Sequence, residues 1–117
     1  MIKSSHKIPA ILEAILPEVR TLCVNHKVKQ LWVFGSVLSS KFRLDSDVDF
    51  LYEMDDKNIS ESESYDCFWG FYDSLQKLLG RPIDLTWYSG IKNPYFKEEV
   101  DESKLLIYGQ ETEKVSV

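Results

Sequence analysis

Apolar residues recur at helical spacing in three parts of the chain. Over residues 8–23 they fall three and four apart, which predicts a helix that kinks or restarts at Pro17, because proline removes a backbone donor. Residues 60–79 form the strongest helical stripe, with a possible capping box at its start and a glycine at its end. Residues 94–102 have the pattern of a charged amphipathic helix. Four aromatic residues of the second stripe are expected in the core rather than on a base-stacking platform: Tyr65, Phe68, Trp69 and Tyr72.

Four short apolar runs between these helices predict strands. Residues 28–34 are too continuously apolar for a half-exposed edge, so this strand should be central. The other runs cover residues 48–52, 82–87 and 105–108. The resulting order of elements predicts an α/β (α+β) fold, with a small mixed β-sheet flanked by helices, in a single domain over residues 1–117.

Carboxylates interrupt two of the predicted strands. Asp47 and Asp49 are two residues apart and therefore share one face of a strand, and Asp84 would complete a trio if its strand is a neighbour. Two carboxylates about 4 Å apart repel by about 4 kcal/mol at an effective dielectric near 20, so a cation should neutralise them. Oxygen ligands without histidine or thiolate indicate Mg²⁺ or Mn²⁺. The alternative is a set of exposed strand-end carboxylates.

A Gly-Ser turn precedes the acidic pair. Gly35 has no side chain to block a ligand, and Ser36 begins a short polar segment, residues 36–41, whose backbone N–H groups could hold phosphate oxygens. Lys41 or Arg43 could contact a triphosphate. Gly-Ser, ten residues, then Asp-x-Asp should arise by chance in on the order of one chain in a thousand of this length.

Composition limits the classes of partner and compartment. With 117 residues and 44% apolar content, the chain is long enough for one packed core. Its net charge of −5 makes direct nucleic-acid binding unexpected, since such affinity comes mainly from lysine and arginine. No apolar stretch reaches the ~18 residues of a membrane span and the start lacks a secretory signal, so we expect a cytoplasmic protein without a membrane partner. Cys23 and Cys67 are expected to be reduced and semi-buried.

These motifs carry a resemblance to a known family. The segment GSVLSSKFRLDSDVDF matches the Gly-Ser, ten residues, Asp-x-Asp signature of the DNA-polymerase-beta-like nucleotidyltransferase superfamily, and PIDLTW resembles the strand with its third carboxylate. Nearly the whole chain resembles the minimal nucleotidyltransferases, which are single-domain antitoxins encoded beside HEPN-domain toxins. The likeness extends to the closing segment NPYFKEEVDESKLLIYG.

The resemblance implies a nucleotidyltransferase fold and a role for each motif residue. By it, Asp47, Asp49 and Asp84 are the catalytic and metal-binding residues for two Mg²⁺ ions, with Asp84 helping to activate the attacking hydroxyl. Gly35 and Ser36 hold the phosphates of ATP, the substrate. The partner implied is a HEPN RNase toxin, which is neutralised when a tyrosine hydroxyl receives AMP.

One departure from the family leaves two other functions open. Many relatives follow Gly-Ser with a basic, Ala, Arg, Gly run, whereas residues 37–40 are Val-Leu-Ser-Ser here, so Lys41 or Arg43 would have to replace the usual arginine. One alternative is a non-catalytic antitoxin that acts by binding its toxin. The other is a nucleotidyltransferase subunit that acts on a small molecule such as an aminoglycoside.

Overall fold

The protein is described here by a computed structural model over residues 8–38 and 47–110. Its helices are α1 (Ala10–Glu13), α2 (Leu16–Asn25), α3 (Glu61–Leu79) and α4 (Pro94–Ser103). Its strands are β1 (Val28–Phe34), β2 (Val48–Met54), β3 (Ile83–Trp87) and β4 (Leu105–Tyr108). Short 3-10 turns cover Gly35–Leu38, Asp56–Asn58 and Tyr88–Gly90.

The strands form one mixed sheet in the order β3-β2-β1-β4. β1 is antiparallel to both β2 and β4, whereas β2 and β3 are parallel. A parallel pair needs a crossover connection, and α3 supplies it. The predicted mixed sheet and the central position of β1 are therefore confirmed.

Helices cover the sheet on both faces. α1, α2 and α3 pack on one face, where strand residues such as Val33 and Phe50 are fully buried. α4 packs on the opposite face through Val100, which lies against Trp32 and Leu51. Within each of β1 and β2, consecutive residues thus point to opposite faces of the sheet and into different cores, as the pleat of a strand requires.

The helix ends follow the sequence signals. The first helical segment breaks into α1 and α2, and Pro17 lies in the first turn of α2, where its missing N–H is not needed. At the start of α3 the Ser60 hydroxyl accepts a hydrogen bond of 3.2 Å from the Glu63 backbone N–H. Gly80 ends α3 in the left-handed conformation with φ of 69°.

The core face of α3 differs from the sequence prediction. Tyr65 and Trp69 are 66% and 50% exposed, while Phe71 and Leu75 are the buried residues of the helix. The prediction of core packing was wrong for Tyr65 and Trp69, whereas Tyr72 packs against the core and Phe68 is half-buried. The apolar stripe spans about half of the helix circumference. Such a wide stripe does not indicate which of its edges meets the sheet.

Neither cysteine forms a disulfide. Cys23 is buried and Cys67 is half-buried. Burial raises the pKa of the Cys23 thiol to about 12, so this thiol stays protonated and unreactive.

Within residues 8–38 and 47–110, no helix has the length and apolar character needed to cross a membrane.

The orientation of α3 can be tested with a matched pair of substitutions. Phe71→Ala should lower the free energy of unfolding by about 3–5 kcal/mol, because it removes a fully buried ring. Trp69→Ala, two residues away, should lower it by less than about 1 kcal/mol. Urea unfolding followed by circular dichroism measures both, and equal losses would contradict the orientation described here.

Candidate active site

Parallel pairing of β2 and β3 brings two acidic residues side by side. Asp49 is directly opposite Asp84 in the register, and the pairs on either side are Val48 with Ile83 and Phe50 with Leu85. Paired residues of neighbouring strands project from the same face of a sheet, so both carboxylates lie on one face. That face is the one covered by α4, because Leu51, two residues after Asp49, packs against α4.

The Gly-Ser turn meets the same carboxylates. Phe34, the last residue of β1, pairs with Asp49, and Gly35 follows immediately. Gly35 has φ of +81°, and a Cβ atom added to it would lie 2.6 Å from Asp49 Oδ2. Only glycine fits both constraints, and this position leaves the backbone open toward Asp49. Val37, buried in the core, anchors the turn that carries the half-buried Ser36.

Like charges and burial both act on Asp49. Burial raises its pKa above the ordinary value, and the negative charges of Asp84 and then Asp47 raise it further. Asp49 is half-buried, whereas Asp47 and Asp84 are exposed. Both of the other predicted carboxylates therefore act electrostatically on Asp49.

The chemistry of this group suits a hard divalent cation. In the described parts of the chain, no three His, Cys, Asp or Glu side chains converge closely enough to form a complete ion site by themselves. Mg²⁺ commonly takes only one or two protein carboxylates and completes its shell with water and substrate phosphates. The oxygen-only donors and the repulsion at Asp49 fit such an ion.

Some predicted site residues cannot be placed. Lys41 and Arg43, the suggested replacements for the family arginine, lie outside the described residues, as does the arginine position itself, Ser39. The structure places the other predicted residues at one end of the sheet: Asp47, Asp49, Asp84, Gly35 and Ser36.

Sequence reasoning missed a contact at the other end of the β2–β3 pair. The Glu53 carboxylate accepts hydrogen bonds from Trp87 Nε1, at 3.1 Å, and from the Ser89 hydroxyl. Glu53 lies on the same face of β2 as Asp49, four residues later. This contact ties the end of β3 to β2 and so helps hold Asp84 in register. The alternation of Asp49, Leu51 and Glu53 was the available signal, but the predicted strand ended at Tyr52.

The close approach of Gly35 to Asp49 predicts a specific steric cost. Gly35→Ala should lose about 1 kcal/mol of stability from its positive φ and about 1 kcal/mol more from contact with the carboxylate. Gly80→Ala is the matched control, because its φ is also positive but nothing lies within 4 Å. Thermal unfolding should show that adding Asp49→Ala removes the extra loss at Gly35. An unchanged loss in the double variant would exclude the steric cause.

The raised pKa of Asp49 predicts how its replacement changes stability with pH. A carboxyl whose pKa is raised on folding favours the native state below its unfolded pKa of about 3.9, and this stability is lost as pH rises through the folded pKa. Asp49→Asn should therefore be more stable than the wild type at about pH 7, by about 0.5 kcal/mol after solvent screening, and equal to it near pH 3.

Urea unfolding at both pH values measures this difference. Asp66→Asn on the exposed side of α3 is the control and should show no such trend. A wild type more stable than Asp49→Asn at neutral pH would contradict the repulsion.

Proteins of similar sequence are known in Methanocaldococcus jannaschii. MJ1379, named as a candidate protein adenylyltransferase, is 32% identical over 98 residues, covering 84% of this chain and 93% of that protein. MJ0128, named in the same way, is 34% identical over 101 residues, covering 86% of this chain and 96% of that protein.

Solved structures share the fold. A candidate minimal nucleotidyltransferase is 29% identical with a TM-score of 0.66, covering 86% of this chain and 97% of its own. A structure of a tri-AMPylated Shewanella oneidensis HEPN toxin in complex with its MNT antitoxin matches with a TM-score of 0.57 and 16% identity, covering 84% of this chain and 72% of that chain. A toxin-antitoxin structure with AMP-PNP matches with a TM-score of 0.59 and 17% identity, covering 81% and 73%.

The family model described as Polymerase beta, Nucleotidyltransferase, matches residues 18–113, a range that contains β1 to β4 and every predicted site residue. The chain therefore belongs to this nucleotidyltransferase family.

Proposed function

We propose that this nucleotidyltransferase transfers AMP from ATP to a tyrosine hydroxyl of a partner HEPN-domain toxin, and so acts as the antitoxin of a toxin-antitoxin pair. The observation that carries the proposal is the opposition of Asp49 and Asp84 beside the Gly35 turn, in a chain of this family. The names of the two relatives, and the AMPylated toxin in the similar complex, support a protein as the acceptor.

In this proposal all three acidic residues bind metal, and one of them also acts as a base. Asp47 and Asp49 hold Mg²⁺, and Asp84 contributes to metal binding and accepts the proton of the attacking tyrosine hydroxyl. When bound, Mg²⁺ would neutralise the carboxylates and stabilise charge on the phosphates of ATP. The raised pKa of Asp49 supports this assignment, since a group destabilised by neighbouring charges gains most from a cation.

The Gly-Ser turn positions the triphosphate. The open backbone at Gly35 allows phosphate oxygens to approach to hydrogen-bond distance, and the Ser36 hydroxyl offers a further donor. Since Asp49 Oδ2 lies 2.6 Å from the position that a Cβ atom of Gly35 would take, phosphates held at this turn would lie beside the carboxylates. That proximity suits in-line attack on the α-phosphate, with pyrophosphate as the leaving group.

A binding antitoxin without catalysis is the second candidate. The Val-Leu-Ser-Ser run after Ser36, in place of the usual basic, Ala, Arg, Gly run, favours it. The two candidates differ in whether the carboxylates are needed for neutralisation, and that difference can be measured.

An Asp47→Asn/Asp49→Asn double variant separates the two candidates. With ATP and Mg²⁺, the wild-type protein should add AMP to the purified HEPN-domain protein of the same organism. The double variant should be slower by about a hundredfold or more, because it loses several kcal/mol of charge stabilisation. Intact-mass spectrometry of the partner measures the transfer.

The control is the complex itself, which the double variant should still form in size-exclusion chromatography. Equal protection of cells by the double variant and the wild type would show that AMP transfer is not the mechanism. That result would leave the binding antitoxin as the function.

A further inference from the structure

α3 presents exposed aromatic side chains to solvent. We call Tyr65, Phe68, Trp69 and Tyr72 the aromatic ridge. Trp69 is its centre, with ring centroids 6.3 Å from Tyr65, 4.9 Å from Phe68 and 5.6 Å from Tyr72. Tyr65 and Trp69 are at least half exposed, although they contribute little to the core. Contiguous exposed aromatic surface of this kind is typical of protein interfaces.

A groove continues the aromatic ridge toward the sheet. It has a volume of about 420 Å³, and its lining includes Tyr52, Met54, Ile59 and Trp87. The Tyr52 ring lies 5.3 Å from the ring of Phe68 and joins the groove to the ridge. Trp87 is 49% exposed at the end of β3, one of the two edge strands of the described sheet. Ridge and groove therefore form one continuous surface, in which half of the groove lining is apolar and half is polar.

The charge around this surface is negative. α3 carries four acidic residues and a single basic one: Glu61, Glu63, Asp66 and Asp73 against Lys77. Glu63 pairs with Lys27, in the turn before β1, and Asp73 pairs with Lys77. Within the described residues, this leaves Glu61 and Asp66 as the acids of α3 without an ion pair. Asp56 and Glu61 also line the groove. Aromatic faces and carboxylates together suit a partner that presents arginine or lysine among apolar residues, because cations bind both groups.

A second copy of this chain is a poor occupant for the same reason. A two-fold dimer through α3 would place the same acidic surface on both sides of the contact. Juxtaposed like charges oppose such an association. Charge thus favours a different, basic protein.

The surface lies at the β3 edge of the sheet, and Asp84 is exposed on the same edge strand but on the opposite face. Asp84 and Trp87 are three residues apart, which corresponds to about 10 Å at the rise of a strand. A protein domain that covers this edge therefore contacts both the groove and the face that carries Asp84.

We propose that the aromatic ridge and its groove bind the acceptor protein through a basic surface of that protein, which covers the β3 edge of the sheet where Asp84 is exposed. This inference rests on the proposed function, in which the acceptor is a HEPN-domain protein. It adds a docking surface that is separate from the residues that bind nucleotide.

A Tyr65→Ser/Trp69→Ser variant tests the docking surface. Its Kd for the purified HEPN-domain protein of the same organism, measured by calorimetry, should rise about tenfold or more, as expected for two interface aromatics. The KM for this acceptor should rise in parallel, while kcat and ATP binding stay unchanged. Tyr95→Ser is the matched control, because Tyr95 is an exposed aromatic residue (81%) on α4 that belongs to neither the ridge nor the groove, and it should leave Kd unchanged.

A charge-reversal variant checks the chemistry of the partner. Asp66→Lys should also weaken the complex, and the loss should diminish at high salt. An unchanged Kd for the ridge variant, or an equal loss for Tyr95→Ser, would overturn the proposal. A wild-type homodimer that the ridge variant abolishes would assign the surface to a second copy and would also overturn it.

These results are independent of the test of the proposed function. If the ridge variant loses the complex while the wild type transfers no AMP, the docking surface is supported and the enzymatic function fails. If the wild type transfers AMP and the ridge variant binds and transfers equally well, the function is supported and the docking surface is overturned.

Discussion

Repulsion between Asp49 and Asp84 is the constraint on which the rest of this structure depends. The two carboxylates are adjacent only because β2 and β3 are parallel and in register, and buried pairs such as Val48 with Ile83 fix that register. A slip of β3 by one residue would turn Asp84 to the other face of the sheet, away from Asp49. Parallel pairing in turn requires a crossover, so α3 and its attachment to the sheet are needed to hold the charges together.

Other parts of the fold accommodate this unfavourable contact. Gly35 leaves room for the Asp49 carboxylate where any side chain would collide with it. At the far end of the strand pair, Glu53 holds Trp87 and the following turn, so β3 is fastened at the end that lacks repulsion. A site that destabilises the folded chain in this way is typical of proteins whose function needs clustered charge.

Much of the fold was predictable because local signals were strong. β1 matches the predicted residues 28–34, because a continuous apolar run followed by Gly35 has few other interpretations, and Gly80 fixed the end of α3. The sequence predicted that Asp84 lies beside Asp49 only if their two strands are neighbours. Strand order depends on long-range pairing, which no local pattern encodes. The exposed face of α3 was mispredicted because its aromatic residues spread over nearly half of the helix circumference. The contact of Glu53 was missed because the predicted strand ended two residues before Met54.

Electrostatics connects the two surfaces of the molecule. The carboxylate group and the net charge of −5 disfavour polyanions, so a nucleotide needs a cation to enter, whereas a basic protein is attracted without one. If the partner is the HEPN RNase toxin that the family resemblance implies, it needs a cationic surface of its own to bind RNA, because that affinity comes from neutralising phosphates. The acidic surface around Trp69 would therefore recognise the acceptor by the same cationic surface that the acceptor uses to bind RNA. Occupying that cationic surface would oppose RNA binding even before any AMP is transferred.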